Sequence, residues 1–134
     1  KVYQAGTLSG NPLSMAAGLS VLSRLSPDFY KKLSQTSDHF LTEVRAIFKK
    51  YSQKAVIQNA GSMFTLFLGQ TKVENFQDAK KCDTQKFAKF FHWMLKNGIY
   101  IPPSLFEAYF LSSAHTSRDL DAVLKGLDKS VKAL

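Results

Sequence analysis

The sequence predicts an α/β fold of the α+β kind. The expected architecture is a small antiparallel sheet of about 3–4 strands with helices packed on one face, preceded by a long helical segment. Three observations predict it. Apolar residues recur at helical spacing near both ends and around residues 84–97. Alternation of the β type replaces that spacing from residue 55. Hydrophobic residues make up 45% of 134 residues, enough for one real core and too many for a disordered tail.

The first helix begins after "QAGTLSG". Asn11 is a good N-cap and Pro12 suits the first helical position. Met15, Leu19, Leu22 and Leu25 follow at helical spacing, and Ala16, Ala17 and Gly18 keep one surface thin. Ser26-Pro27 breaks this helix, dividing residues 1–26 from 27–134. A longer helix is predicted from Pro27 to Tyr51, with Leu33, Ser37, Phe40, Val44, Ile47, Phe48 and Tyr51 as its inward stripe. "AVIQNAGSMFTLFLG" then gives two strands about a turn at Asn59-Ala60-Gly61. In the second, both faces look at least partly covered.

Gln70–Asp83 is polar and lysine-rich and reads as a mobile loop. A third helix spans Thr84–Asn97, with Phe87, Phe90, Phe91, Met94 and Leu95 inward and Gly98 as its stop. "IYIPPS" reads as a short strand ended by Pro102-Pro103, and "EAYFLSSA" as another. A last helix starts near Thr116, which with Asp119 forms a capping-box variant. Leu120, Val123, Leu124, Leu127 and Val131 are its stripe.

The net charge is +8, but the basic residues are scattered, and only 3 of 18 are arginine. Arginine forks suit phosphate better than lysine, so a dedicated nucleic-acid face is not expected. The segment Lys72–Lys89 stays open as a basic module for an acidic partner or nucleic acid. No apolar run approaches the roughly 20 residues that span a bilayer. No secretory leader is read, and the single cysteine, Cys82, fits a cytoplasmic location. The opening residues read as the interior of a longer polypeptide.

Two places carry candidate chemistry. Gly6, Thr7, Ser9 and Gly10 stand just ahead of a helix start, where free N–H groups and the helix dipole favour an anion. The same residues also describe an ordinary capped turn. Glu107 lies inside the apolar run "LFEAYFL". Either it is buried and needs a partner or a proton, or it sits on an edge strand facing water. His115 reads as a structural histidine bonded to backbone. His39, His92, Asp119, Asp121 and Cys82 lack metal-ligand spacing, and no nucleophile–histidine–acid trio is legible.

Three stretches, "YQAGTLSGNPLSMAAGL", "GSMFTLFLG" and "IYIPPSLFEAYFLSSAHT", together resemble the glutamate-1-semialdehyde 2,1-aminomutase family. These are class III aminotransferase-like enzymes of the type I pyridoxal-phosphate fold, and the resemblance is to their C-terminal part. Residues 1–26 would then be the tail of the large cofactor-binding domain, and 27–134 the small C-terminal domain. The family converts glutamate-1-semialdehyde to 5-aminolevulinate, a tetrapyrrole precursor, as a homodimer with pyridoxal 5′-phosphate.

The resemblance implies that Thr7, helped by Gly6, reaches the cofactor phosphate of the other subunit. It also implies that Glu107 points toward the active site. Class III transaminases usually carry a carboxylate-gripping arginine where Phe110–Ala114 stand here, which speaks against another class III enzyme. Pro102 and Tyr109 depart from the smaller residues common at their positions. The Schiff-base lysine is expected upstream, so no catalytic residue is assigned and the chain alone is expected to be inactive.

Overall fold

The computed structural model describes residues 2–3 and 5–134. Lys1 and Gln4, which the sequence reading touched, lie outside them. Five helices and three strands follow in the order α1 (Pro12–Leu22), α2 (Pro27–Lys50), β1 (Ala55–Ala60), β2 (Met63–Leu68), α3 (Phe76–Ala79), α4 (Thr84–Lys96), β3 (Tyr109–Phe110), α5 (Ser117–Lys132). The chain divides into two compact units, Lys1–Lys32 and Leu33–Leu134.

The second unit holds the core. One antiparallel sheet runs β1-β2-β3. Ala55 pairs with Leu68 and Ala60 with Met63, leaving a two-residue hairpin. Phe64, Leu66 and Leu68 turn one face of β2 toward the helices. Phe64 meets Phe40 of α2 with ring centroids 6.2 Å apart. Phe48 of α2 meets Phe90 of α4, also at 6.2 Å. Leu120, Leu127 and Val131 of α5 are buried, as their spacing predicts. Ser37 and Ser130 are fully buried but satisfied: each hydroxyl donates to the carbonyl four residues back, Leu33 and Gly126, at 2.8 Å.

The helix ends follow local rules. Asp83 caps α4, its carboxylate accepting from the Lys86 N–H at 2.8 Å. Gly98, at φ +79°, closes α4 while Gly98 and Ile99 donate to Leu95 and Met94. Thr116 and Asp119 form a full capping box on α5. The Thr116 N–H reaches the Asp119 carboxylate at 2.8 Å, and the Asp119 N–H reaches the Thr116 hydroxyl at 3.3 Å. The Thr116 hydroxyl, donating to the Asp119 carboxylate at 2.7 Å, and then the Thr116 N–H hold Asp119 below the usual carboxylate range. Late in α2, Lys50 pairs with Asp128 of α5 at 2.8 Å, an exposed pair that raises the lysine and lowers the aspartate.

Several expectations need correction. Residues 70–83 are not loop throughout. They carry α3, capped by Asn75, and bury Val73, Ala79 and Cys82. The Gln58 amide donates to the Val73 carbonyl and ties the segment to β1. This segment covers the second face of β2, where Phe67 is buried. The strand expected over "IYIPPS" does not form. Two prolines lack N–H groups, and residues 99–102 run without ladder partners. The strand over "EAYFLSSA" shrinks to Tyr109–Phe110, paired with Phe64 and Met63. Leu95, expected inward, is exposed because only Phe87, Phe90 and Met94 share the inner face of α4.

Candidate functional site

The opening turn belongs to the first unit. The Ser9 N–H donates to Gly6 O at 3.0 Å, and the Asn11 N–H donates to Leu8 O at 3.1 Å, giving two overlapping turns. Gly10 sits at the third position of the second turn with φ +76°, a conformation that side chains resist. A Cβ on Gly6 would lie 2.8 Å from the Ser9 hydroxyl, which would have to rotate away. Asn11 then caps α1, its side-chain oxygen accepting from Leu13 and Ser14 N–H groups at 3.1 Å each.

Residues 5–10, Thr7 and Ser9 included, are exposed. Between Val2 and Ser23 there is no charged side chain. This turn offers hydroxyl and backbone donors plus a helix dipole, with no cation beside them. Such an arrangement fits one edge of a phosphate group. Its residues lie open at the surface of their unit.

Glu107 belongs to the second unit and is exposed. It is neither a buried carboxylate nor an edge-strand residue. It sits in a turned segment, Pro103–Glu107, where strand alternation is lost. The Phe106 N–H donates to the Ser104 hydroxyl, and the Glu107 N–H to the Ser104 carbonyl, both at 3.2 Å. Leu105 is buried, whereas Phe106 is 51% exposed beside Glu107.

Tyr109, passed over by sequence reasoning except as a departure, packs its ring on Phe64 with centroids 4.9 Å apart and planes 21° apart. Its hydroxyl is buried and has no hydrogen-bond partner among the described residues. Burial, with the Glu107 charge second, pushes this phenol well above its usual range. His115 is the backbone-bonded histidine expected. Its Nδ1 accepts from the Ser112 N–H at 3.0 Å, which places the ring proton on Nε2. Burial raises the Cys82 thiol, so it is no ready nucleophile. Among the described residues no cluster could hold a metal ion. No described helix is long and apolar enough to cross a membrane.

No family model matches the chain. Curated proteins do. The chain is 48% identical over 134 residues to glutamate-1-semialdehyde 2,1-aminomutase of Desulfatibacillum aliphaticivorans, covering 99% of this chain and 32% of that protein. In sequence, the chain matches a segment of the glutamate-1-semialdehyde 2,1-aminomutase family. The Clostridium kluyveri aminomutase is 46% identical over 130 residues, 95% of this chain and 31% of its own length. The chain thus spans about a third of the length of the curated relatives it matches.

Solved structures agree on the fold. A β-phenylalanine aminotransferase from Variovorax paradoxus superposes with a TM-score of 0.85 at 22% identity, over 96% of this chain and 30% of the other. A transaminase with PLP bound superposes at 0.78 and 18%, over 98% and 30%. The opening turn is legible in the sequence through its glycines and hydroxyls. The burial of the Tyr109 hydroxyl is not legible there, because an aromatic position in an apolar run carries no signal of what lies opposite it.

Proposed function

We propose that this chain is the C-terminal part of glutamate-1-semialdehyde 2,1-aminomutase, an isomerase that makes 5-aminolevulinate for tetrapyrrole biosynthesis in the cytoplasm. The match along its whole length to the D. aliphaticivorans aminomutase carries this reading. Residues 1–26 would finish the large domain and 27–134 would form the small one. The whole enzyme would be a homodimer acting on a small amino aldehyde, with no role for nucleic acid or membrane. The ion pairs Lys50–Asp128, Lys72–Glu74 and Lys81–Asp78 support that in part, since they set an acidic group against each of these lysines.

Pyridoxal phosphate, when bound, supplies the amine and the electron sink. This chain's part is binding and positioning. The Thr7 hydroxyl donates to a phosphate oxygen of the partner subunit's cofactor, and Gly6 lets the backbone come close. Countercharge comes from outside residues 2–23, which hold none. Glu107, exposed on its turn, orients polar groups of the substrate. The 15 lysines lie mostly on helices and in the polar 70–83 segment, and none is followed by a glycine-rich turn. A Schiff-base lysine is therefore assigned to the remaining polypeptide.

Two measurements test this. The 134-residue chain alone should show no aminomutase activity and retain no borohydride-fixed cofactor band. In the full enzyme, Thr7→Val should weaken cofactor retention on dialysis, since a hydrogen bond to a charged group is worth about 1.5–3 kcal/mol. Equal retention in variant and parent would remove Thr7 from the phosphate site.

A further inference from the structure

We propose that Asn97 is a site of spontaneous deamidation through the Gly98 backbone nitrogen, held off by the closed C-terminal cap of α4 and released when that last turn opens. Asn97 is the chain's only asparagine followed by glycine. Glycine has no side chain to shield its nitrogen, so this pair offers the least hindered attack on the amide carbon. Asn11 precedes Pro12, whose nitrogen carries no hydrogen. Asn59 and Asn75 precede Ala60 and Phe76, each with a Cβ in the way.

In the reaction, the Gly98 nitrogen gives its proton to solvent and bonds to Asn97 Cγ. The Cγ–Nδ2 bond breaks and ammonia leaves. Water then opens the cyclic imide at one carbonyl or the other, leaving aspartate or isoaspartate. One water is consumed, one ammonia is released, and nothing is oxidised or reduced. Gly98 is exposed, so solvent reaches it.

The fold opposes each of these moves. The Gly98 N–H is committed to Leu95 O at 2.9 Å. The Asn97 Nδ2 is committed to Trp93 O at 2.8 Å. Ring closure needs the Gly98 nitrogen turned to the Cβ side of Asn97, and at ψ 13° it is turned away. The turn is also packed from outside. A Cβ on Gly126 of α5 would run into the Ile99 side chain and lie 3.5 Å from Asn97 Cβ, so residues 97–99 rest directly on α5. Attack therefore waits for the cap to lift off Gly126, a local opening well short of global unfolding. The product would close less well. A carboxylate at position 97 cannot donate to Trp93 O, and its charge repels the negative end of the helix dipole. This inference rests on the chain's own packing and is independent of the aminomutase reading.

Peptide mapping by mass spectrometry, with aspartate and isoaspartate separated by chromatography, tests it on the 134-residue chain at neutral pH. In urea, where the chain is unfolded, Asn97 should convert faster than Asn59 and Asn75. Equal rates there would remove the site. Without urea, conversion at Asn97 should be at least about tenfold slower. Equal folded and unfolded rates would remove the gate. Gly126→Ala leaves the reacting pair intact and pushes Ile99 away, so it should speed conversion in the folded chain by about fivefold or more. Ile99→Ala, which loosens the same contact without crowding α5, should do likewise. All three chains should react alike in urea, where the contact is absent. Unchanged or slower conversion in the folded variants would overturn the role of α5 in holding the cap.

Discussion

Helices α1 and α5 are both well capped, yet they live in opposite surroundings. Asn11 closes α1 with two accepted bonds, and Thr116 closes α5 with a reciprocal box. α5 alternates lysines with a buried stripe of Leu120, Leu127 and Val131. α1 has no charged residue and no buried one. Its Leu13, Leu19 and Leu22 are 80%, 71% and 69% exposed. A cap decides that a helix starts at a given residue. The spread of apolar side chains around it decides how much of its surface must be covered. A helix apolar all round asks for cover on every side. The core of residues 33–134 is built from its own helices and sheet, and α1 contributes no buried residue.

That contrast can be broken by substitution. Phe90→Ala should cost about 3–5 kcal/mol, read from urea unfolding, because the ring is 1% exposed. Leu19→Ala on α1 should stay within about 0.5 kcal/mol. Comparable losses would show that α1 has a core of its own. The two helical glycines give a sharper version. A Cβ on Gly126 in α5 would drive into the Ile99 side chain, whereas a Cβ on Gly18 in α1 meets open space. Gly126→Ala should therefore destabilise by about 1–3 kcal/mol through overpacking. Gly18→Ala should instead raise helicity, by up to about 1 kcal/mol. Thermal melts followed by circular dichroism would give the two signs, and matching signs would refute the contrast.

Smaller effects separate the caps. Thr116→Ala should lower global stability by about 1 kcal/mol. Asn11→Ala should fray α1 while leaving the urea midpoint of the core in place. The last effect depends on pH. Asp119 is depressed by its bonds to Thr116, so its contribution is present above the ordinary carboxylate range. It is lost as pH falls through the depressed value. The Tm gap between the parent chain and Asp119→Asn should hold at neutral pH and close in acid. The Asn11 cap, which does not titrate, should show no such closing.

The sequence by itself determined where helices begin and stop. Asn11-Pro12, Asp83, Gly98 and the Thr116–Asp119 box act within a few residues, so their physics is local and legible. It also determined the stripes of α2 and α5, most of that of α4, and a hairpin at Gly61, although the turn expected at Asn59-Ala60-Gly61 falls on residues 61–62 and leaves Asn59 and Ala60 in β1. The glycine and hydroxyl turn was readable because its contacts are local: Gly6 lies against Ser9, and Gly10 answers to its own φ. Only the tertiary structure decided the rest. It made residues 70–83 a cover for the second face of β2, since a few apolar residues among lysines count only when a sheet face is there to receive them. It dissolved the strand before Pro102, because a strand needs a neighbour with free ladder groups. It placed Glu107 at the surface and buried the Tyr109 hydroxyl. Burial is a property of what lies opposite a side chain, and no run of neighbours along the chain can specify that.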